Sequence, residues 1–280
     1  MKRVSTLLTT VTVIASTTTS AIAACTNDTW NKIMDRGTIV VGVKADTKPW
    51  GFLDSSGALV GMEADMAAEV AETMGVELEL VGVQSSNRMQ FLEQGRIDLM
   101  IATMSDRADR REIVGVVQPN YYTSGTNIMA PKALGITEWS ELEGRPVCGK
   151  QGAFYNTIVE ERYGAEIIAF TGNAEAKQAL RDRRCVAWVF DDSSIAADLA
   201  SGEYDDFEMP LNTEDDNPWA LAVPLGEESC VFGHFMSVCS TIGFNLVVCS
   251  SLKKSGAFSA AHFLRRSKTG SPTGSLNNLV

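Results

Sequence analysis

Thr38-Ile-Val-Val-Gly-Val43, the run from Met62 to Met74, and Glu77-Leu-Glu-Leu-Val-Gly-Val83 together decide the fold. The first is continuously apolar and rich in β-branched residues, which suits a strand buried on both faces. The second carries Met62, Met66, Val70 and Met74 at helical spacing and stops at Gly75. The third alternates polar and apolar residues as a strand does. With a helical lead-in from Asn27 to Arg36 and a turn at Asp54-Ser-Ser-Gly57, the order is helix, strand, turn, helix, strand.

Downstream the alternation continues. A helix is expected from Asn87 to Gln94, stopped by Gly95, and a short apolar strand from Ile97 to Ala102. A second series follows: strand Pro146 to Cys148, helix Tyr155 to Tyr163, strand Glu166 to Phe170, helix Ala174 to Arg181, strand Cys185 to Phe190. Two successive βαβ series predict an α/β protein of two lobes. Ligands of such sheets sit beyond the carboxyl ends of the strands, so the residues just after Val43, Ala102, Cys148 and Phe190 are where binding chemistry is sought.

The 280 residues are enough for two cores of ordinary size. A net charge of −11 argues against nucleic acid as a partner. Lys2 and Arg3, the apolar run Leu7 to Ala15 and the small-x-small pattern Ala21-Ile22-Ala23 read as an export signal over residues 1–23. Ile22-Ala23-Ala24-Cys25 also has the form of a lipoprotein box, the alternative being a lipid anchor on Cys25. Six cysteines in an exported chain can form bridges, but their spacing matches no zinc site, and His234 and His262 alone support neither a metal centre nor a histidine-based triad. No cofactor is expected.

After the first strand, Lys44-Ala-Asp-Thr-Lys-Pro-Trp-Gly-Phe52 sets the Asp46 carboxylate and Trp50 at a strand mouth, with Trp50 either exposed to a ligand or packed in the core. Thr103, Ser105 and Arg110 follow another strand end. Two hydroxyls and a guanidinium there can hold a carboxylate, although Asp106-Arg-Ala-Asp-Arg-Arg111 also reads as a solvated helix start. Asp191-Asp192 follow a third strand, where a carboxylate can pair with an ammonium group or cap a helix. Arg110 facing Asp192 would hold a zwitterion across two lobes and stabilise their closed arrangement.

These residues resemble the periplasmic polar amino-acid-binding proteins of ABC importers, a family of two-lobed receptors hinged on two crossover segments. The likeness runs from about Gly37 to Pro224. It is carried by Gly57-Ala-Leu-Val-Gly-Met-Glu-Ala-Asp-Met66, by Gly95-Arg-Ile-Asp-Leu99 with its continuation to Arg110, and by Gln118-Pro-Asn-Tyr-Tyr122. The resemblance implies that Thr103, Ser105 and Arg110 grip a ligand's α-carboxylate, that Asp192 takes its α-ammonium, and that Asp46 and Lys150 touch its side chain. It implies a monomer that binds a polar amino acid in the periplasm and delivers it to a membrane permease. The first lobe would comprise residues 24–124 with 219–237, and the second 125–218. Crossings are expected near Thr123 to Asn127 and near Asn217 to Ala220. Ala153-Phe154 and Ser85 depart from the family's pattern, so the clamp is expected to be rebuilt around Trp50 and Phe154. Cys148 and Cys185 fall in neighbouring strands of this fold and are expected to form a disulfide. An enzyme on the same fold, a dehydratase or cell-wall lyase, is the alternative, with Lys150 and Asp46 as its candidate acids.

From Val238 to Val280 there is no Asp or Glu, where ordinary composition supplies roughly five. With suitable codons, a one-base shift at Val238 restores an acidic, leucine-bearing helix that resembles the family's ending. Residues 238–280 are therefore read as an anomalous tail produced by a frameshift.

Overall fold

The computed structural model describes residues 28–228. The export signal, the Cys25 lipid site and the 238–280 tail lie outside the described residues.

Helix α1 (Asp28–Arg36) leads into β1 (Thr38–Lys44), whose Val41 and Val43 are fully buried. A small antiparallel sheet of β2 (Asp46–Thr47), β3 (Gly51–Leu53) and β4 (Leu59–Val60) precedes α2 (Met62–Met74) and β5 (Glu77–Val83). Gly75 ends α2 at φ 70°, a left-handed conformation in which its N–H caps the last turn. Next come α3 (Arg88–Glu93), β6 (Leu99–Ile101) and α4 (Ala108–Arg111). The long β7 (Gly115–Pro131) leads to β8 (Pro146–Lys150), α5 (Tyr155–Tyr163), β9 (Glu166–Phe170), α6 (Asn173–Arg181), β10 (Ala187–Asp191) and α7 (Asp192–Ala200). A two-residue β11 (Phe207–Glu208) and the return strand β12 (Glu214–Val223) complete the described chain.

The strand order is β5-β1-β6-β12-β7-β10-β8-β9, with β11 on β7. At one end β5, β1 and β6 run parallel, and at the other β10, β8 and β9 do. Between these parallel blocks lie β7 and β12, antiparallel to each other in the register Asn217↔Ser124 and Pro218↔Thr123. The cores follow the same division. Apolar side chains of β1, β6 and α2 form one cluster around Ile39, Val41, Ala67 and Ile101, and a second around Val83, Leu92, Ile97 and Met100 covers the other face. A separate core around Val147, Val159, Leu180, Trp188 and Phe190 belongs to the β8–β10 block. The fold is the two-lobed α/β one that the alternation predicts.

Cys148 of β8 and Cys185, just before β10, are joined by a disulfide with Cα atoms 5.5 Å apart. The parallel pairing of β10 on β8, which sets Trp188 opposite Cys148, brings the two thiols within reach.

Candidate functional site

The carboxyl ends of β1, β6, β8 and β10 meet between the two blocks, and an unusual number of charged side chains is buried there. Lys44, Glu63 and Lys150 are completely buried, and Arg88, Arg110 and Asp191 nearly so.

Lys44 closes β1. Its Nζ donates to Ser85 Oγ at 3.0 Å and lies 3.5 Å from Asp46 Oδ1. Arg88, the first residue of α3, donates through Nη1 to the carbonyls of Ala102 and Thr103 beyond β6, while its buried Nε has no partner among the described residues. Arg110 is held by α4 and donates to the Ser105 carbonyl at 3.1 Å. Burial, with Arg88 adding repulsion, brings the Arg110 guanidinium down to about 9. Burial also lowers Arg88 and Lys150, and takes Lys44 well below the usual ammonium range with further repulsion from Lys150.

Asp46 joins the two sides. It forms an ion pair with Lys150 and accepts the Asn173 N–H at the start of α6 at 3.0 Å, and its own carbonyl accepts from Asn173 Nδ2. Burial pushes its carboxyl up, but the Lys44 and Lys150 charges outweigh that and hold it at about 2. Asp46 and Lys150, expected to touch a ligand's side chain, thus spend their charges largely on each other.

Asp192 departs from expectation as well. Its carboxylate accepts from Ser124 Oγ at 2.6 Å, Gly125 N–H at 3.0 Å and Thr213 Oγ1 at 3.1 Å, all on or beside β7 and β12. From the first turn of α7 it is tied to the long antiparallel strands. The preceding residue, Asp191, is the buried carboxyl that feels Arg88, Lys44 and Arg110; burial pushes it up to about 7 against their attraction. Tyr155 lies close enough to raise its own phenol through burial and the Asp191 charge.

Trp50, placed as a clamp aromatic, is instead largely buried and packs on Tyr122 and Trp219 with ring centroids 4.3 and 5.1 Å away. Phe154 does reach across: the Arg107 and Arg110 guanidiniums stand 4.7 and 5.7 Å from its ring centre. Thr103 and Ser105 are buried at the end of β6, with Thr103 at φ 45°. The structure therefore brings Asp46, Thr103, Ser105, Arg110, Lys150 and Phe154 to one junction. It adds Lys44, Glu63, Arg88 and Asp191, sends Trp50 to the core and ties Asp192 to the long antiparallel strands. A lysine ending an apolar strand was the one sequence signal for Lys44. Arg88 had none, since a helix start is commonly polar.

Two α/β lobes on a pair of long crossing strands, with buried cations and carboxyls at their junction, have the architecture of a two-lobed solute receptor. The chain belongs to the bacterial extracellular solute-binding proteins, family 3, whose model matches residues 39–265. It is 28% identical over 208 residues to the ABC transporter glutamine-binding protein GlnH of Bacillus subtilis, covering 72% of this chain and 75% of that one. It is 22% identical over 196 residues to the glutamate/aspartate import solute-binding protein of Salmonella typhimurium, covering 66% of this chain and 65% of that one. Among solved structures, the arginine-bound form of truncated ArgBP from T. maritima superposes with a TM-score of 0.69 at 25% identity, covering 76% of this chain and 99% of that one. The ancestral amino acid-binding protein AncCDT-1, a precursor of cyclohexadienyl dehydratase, does so with a TM-score of 0.67 at 27% identity, covering 77% and 95%.

Proposed function

We propose that the chain binds an acidic amino acid between its lobes, outside the inner membrane, and delivers it to the permease of an ABC importer. The observation that carries this is the charge of the junction. Burial weakens charge of both signs there: it pushes Glu63 and Asp191 up to about 7, takes Lys44 well below the usual ammonium range and lowers Lys150, which is paired with Asp46, so the excess of positive charge rests on the guanidiniums of Arg88 and Arg110. A ligand of net charge −1 relieves that imbalance, and a cationic one worsens it. In this reading Arg110 takes the α-carboxylate, Asp191 rather than Asp192 takes the ammonium, and Lys44 with Arg88 takes the side-chain carboxylate. Support also comes from relatives named for glutamate and aspartate, in Salmonella typhimurium and Pseudomonas aeruginosa.

The test is a thermal-shift screen of the purified chain against all the common amino acids, followed by calorimetry. L-Aspartate or L-glutamate should raise the melting temperature most, and arginine should not raise it. A largest shift from a basic or neutral amino acid would overturn the assignment.

A dehydratase on the same fold remains the second reading, prompted by the likeness to AncCDT-1. Asp46 and Lys150 are paired with each other, so the acid would be Asp191, which lies near 7. Mass spectrometry of the ligand after long incubation decides it: recovery unchanged excludes turnover.

A further inference from the structure

Glu63 is completely buried, takes no part in the clamp just described, and stands at its base. It lies in the first turn of α2, under the ends of β1 and β6. Its Oε1 receives the Thr103 N–H at 2.6 Å and the Tyr121 hydroxyl at 2.9 Å, and its Oε2 receives the Lys44 N–H at 3.2 Å. Oε2 also packs so closely over Gly51 that a Cβ there would come within 2.8 Å of it. Thr103 is held between partners: its N–H points to Glu63 and Tyr121, and its carbonyl accepts from Arg88. That grip keeps a non-glycine residue at φ 45°, a conformation costing roughly 1 kcal/mol in an L-residue.

We propose that Glu63 is a positioning residue for binding: by accepting from the Lys44 and Thr103 amides and the Tyr121 hydroxyl, its carboxylate fixes the two strand mouths that present Lys44, Thr103 and Arg88 to the ligand. An ionised carboxylate has acceptor sites for all three donors, whereas a protonated one must point a hydrogen of its own at something. With Oε1 serving two donors, the proton goes to Oε2, facing the Lys44 N–H, and one bond of the mouth is lost. The charged and titratable groups facing Glu63 are Lys44 from β1, Tyr121 from β7 and Arg88 from α3. Burial outweighs their pull and pushes Glu63 up to about 7, so the bond breaks within the working range of an exported protein.

Two measurements test this, the second resting on the acidic-ligand reading. In the unliganded protein, the ¹H–¹⁵N shifts of the Lys44 and Thr103 amides should titrate with a midpoint near 7. In Glu63→Gln, whose carboxamide copies the protonated form, they should not. Flat shifts in the native protein between about pH 5.5 and 8.5 overturn the proposal, whether or not the variant folds. For L-aspartate, the ratio of the Glu63→Gln dissociation constant to the native one should be about tenfold at pH 8.5, the value of one lost buried hydrogen bond, and should close toward unity near pH 5.5. Comparing variant with native at each pH cancels the titration of Asp191. A ratio constant with pH would mark Glu63 as merely structural, and one that widens as pH falls would mean that binding takes up a proton there; either overturns the proposal. If the native protein fails to bind L-aspartate, the ligand assignment falls while the amide titration still decides the role of Glu63.

Discussion

The two sides of the cleft are built differently. On the β1–β6 side the cations are tied to main chain: Arg88 to the carbonyls of Ala102 and Thr103, Arg110 to that of Ser105, and the Lys44 and Thr103 amides to Glu63. On the β8–β10 side, Asp191 is a buried carboxyl pushed up to about 7, and Lys150 is paired to Asp46 across the gap. The difference is that the charged groups of one wall are held by contacts within that wall, while those of the other find a partner across the gap. The disulfide extends the contrast, because it staples only the second wall.

That staple gives the largest expected effect. Closing a loop with a sequence separation of 37 is worth about 4 kcal/mol in the chain-entropy account. Cys148→Ser with Cys185→Ser, or reduction, should therefore lower the melting temperature markedly while an unfolding transition of the first lobe persists. A melt that moves as a single transition by less than a degree would show that the second core holds without its bridge.

Next comes the anchor on the first wall. Arg110→Ala removes a charge whose ligand partner is then left buried and unpaired, which costs about 3 kcal/mol, or over a hundredfold in affinity. Calorimetry should show the loss with little change in melting temperature of the free protein, since Arg110 is itself destabilised by burial. Binding that survives this substitution would displace the carboxylate site from the β6 mouth.

The adjacent pair Asp191 and Asp192 sharpens the comparison within one step of chain. Asp191→Asn should weaken binding about thirtyfold by removing the partner of the ammonium group. Asp192→Asn should change affinity only a few-fold but destabilise the crossing strands, because its three acceptor contacts are to Ser124, Gly125 and Thr213. The pH dependence follows with its sign. Burial makes the free protein hold a proton on Asp191 up to about pH 7, whereas a bound ammonium favours the ionised form. Affinity should therefore rise as pH increases through 7 and level off above it; Asp191→Asn should cut this rise to the part that Glu63 contributes, and the double variant with Glu63→Gln should abolish it. The free protein runs the other way: with its pKa raised, Asp191 contributes stability that declines as pH climbs from about 4 to 7.

These two aspartates also show where sequence reading stops. The bounds of α2, β5, α5 and β9 coincide with those expected from periodicity and glycine stops, since both are local properties of the chain. Strand β6 is shorter than the Ile97 to Ala102 run, because its residue pairing with β1 runs only from Leu99 to Ile101. Which of two adjacent acids faces the cleft depends on the pairing of Asp191 with Thr126 of β7, a contact 65 residues away along the chain that no local pattern encodes. Arg110 was one of three guanidiniums in the Asp106 to Arg111 run past a strand end, a run that reads equally as a solvated helix start. Glu63 stood in plain sight in the Gly57 to Met66 segment, but its role exists only where α2, β1, β6 and β7 meet.

The smallest expected effect lies on the second wall. Phe154, at the start of α5, covers the guanidiniums of Arg107 and Arg110, and a cation over an aromatic face is worth roughly 0.5–1 kcal/mol at partly exposed sites. Phe154→Ala should raise the dissociation constant by about three- to fivefold. The change should sit in the dissociation rate, because the contact crosses between the lobes and any opening must break it. Phe154→Leu separates the two contributions of the ring: it keeps apolar cover but has no π face, so its affinity should fall between those of the alanine variant and the native protein. Stopped-flow traces in which the association rate falls instead would place Phe154 in the open encounter rather than in the contact across the gap.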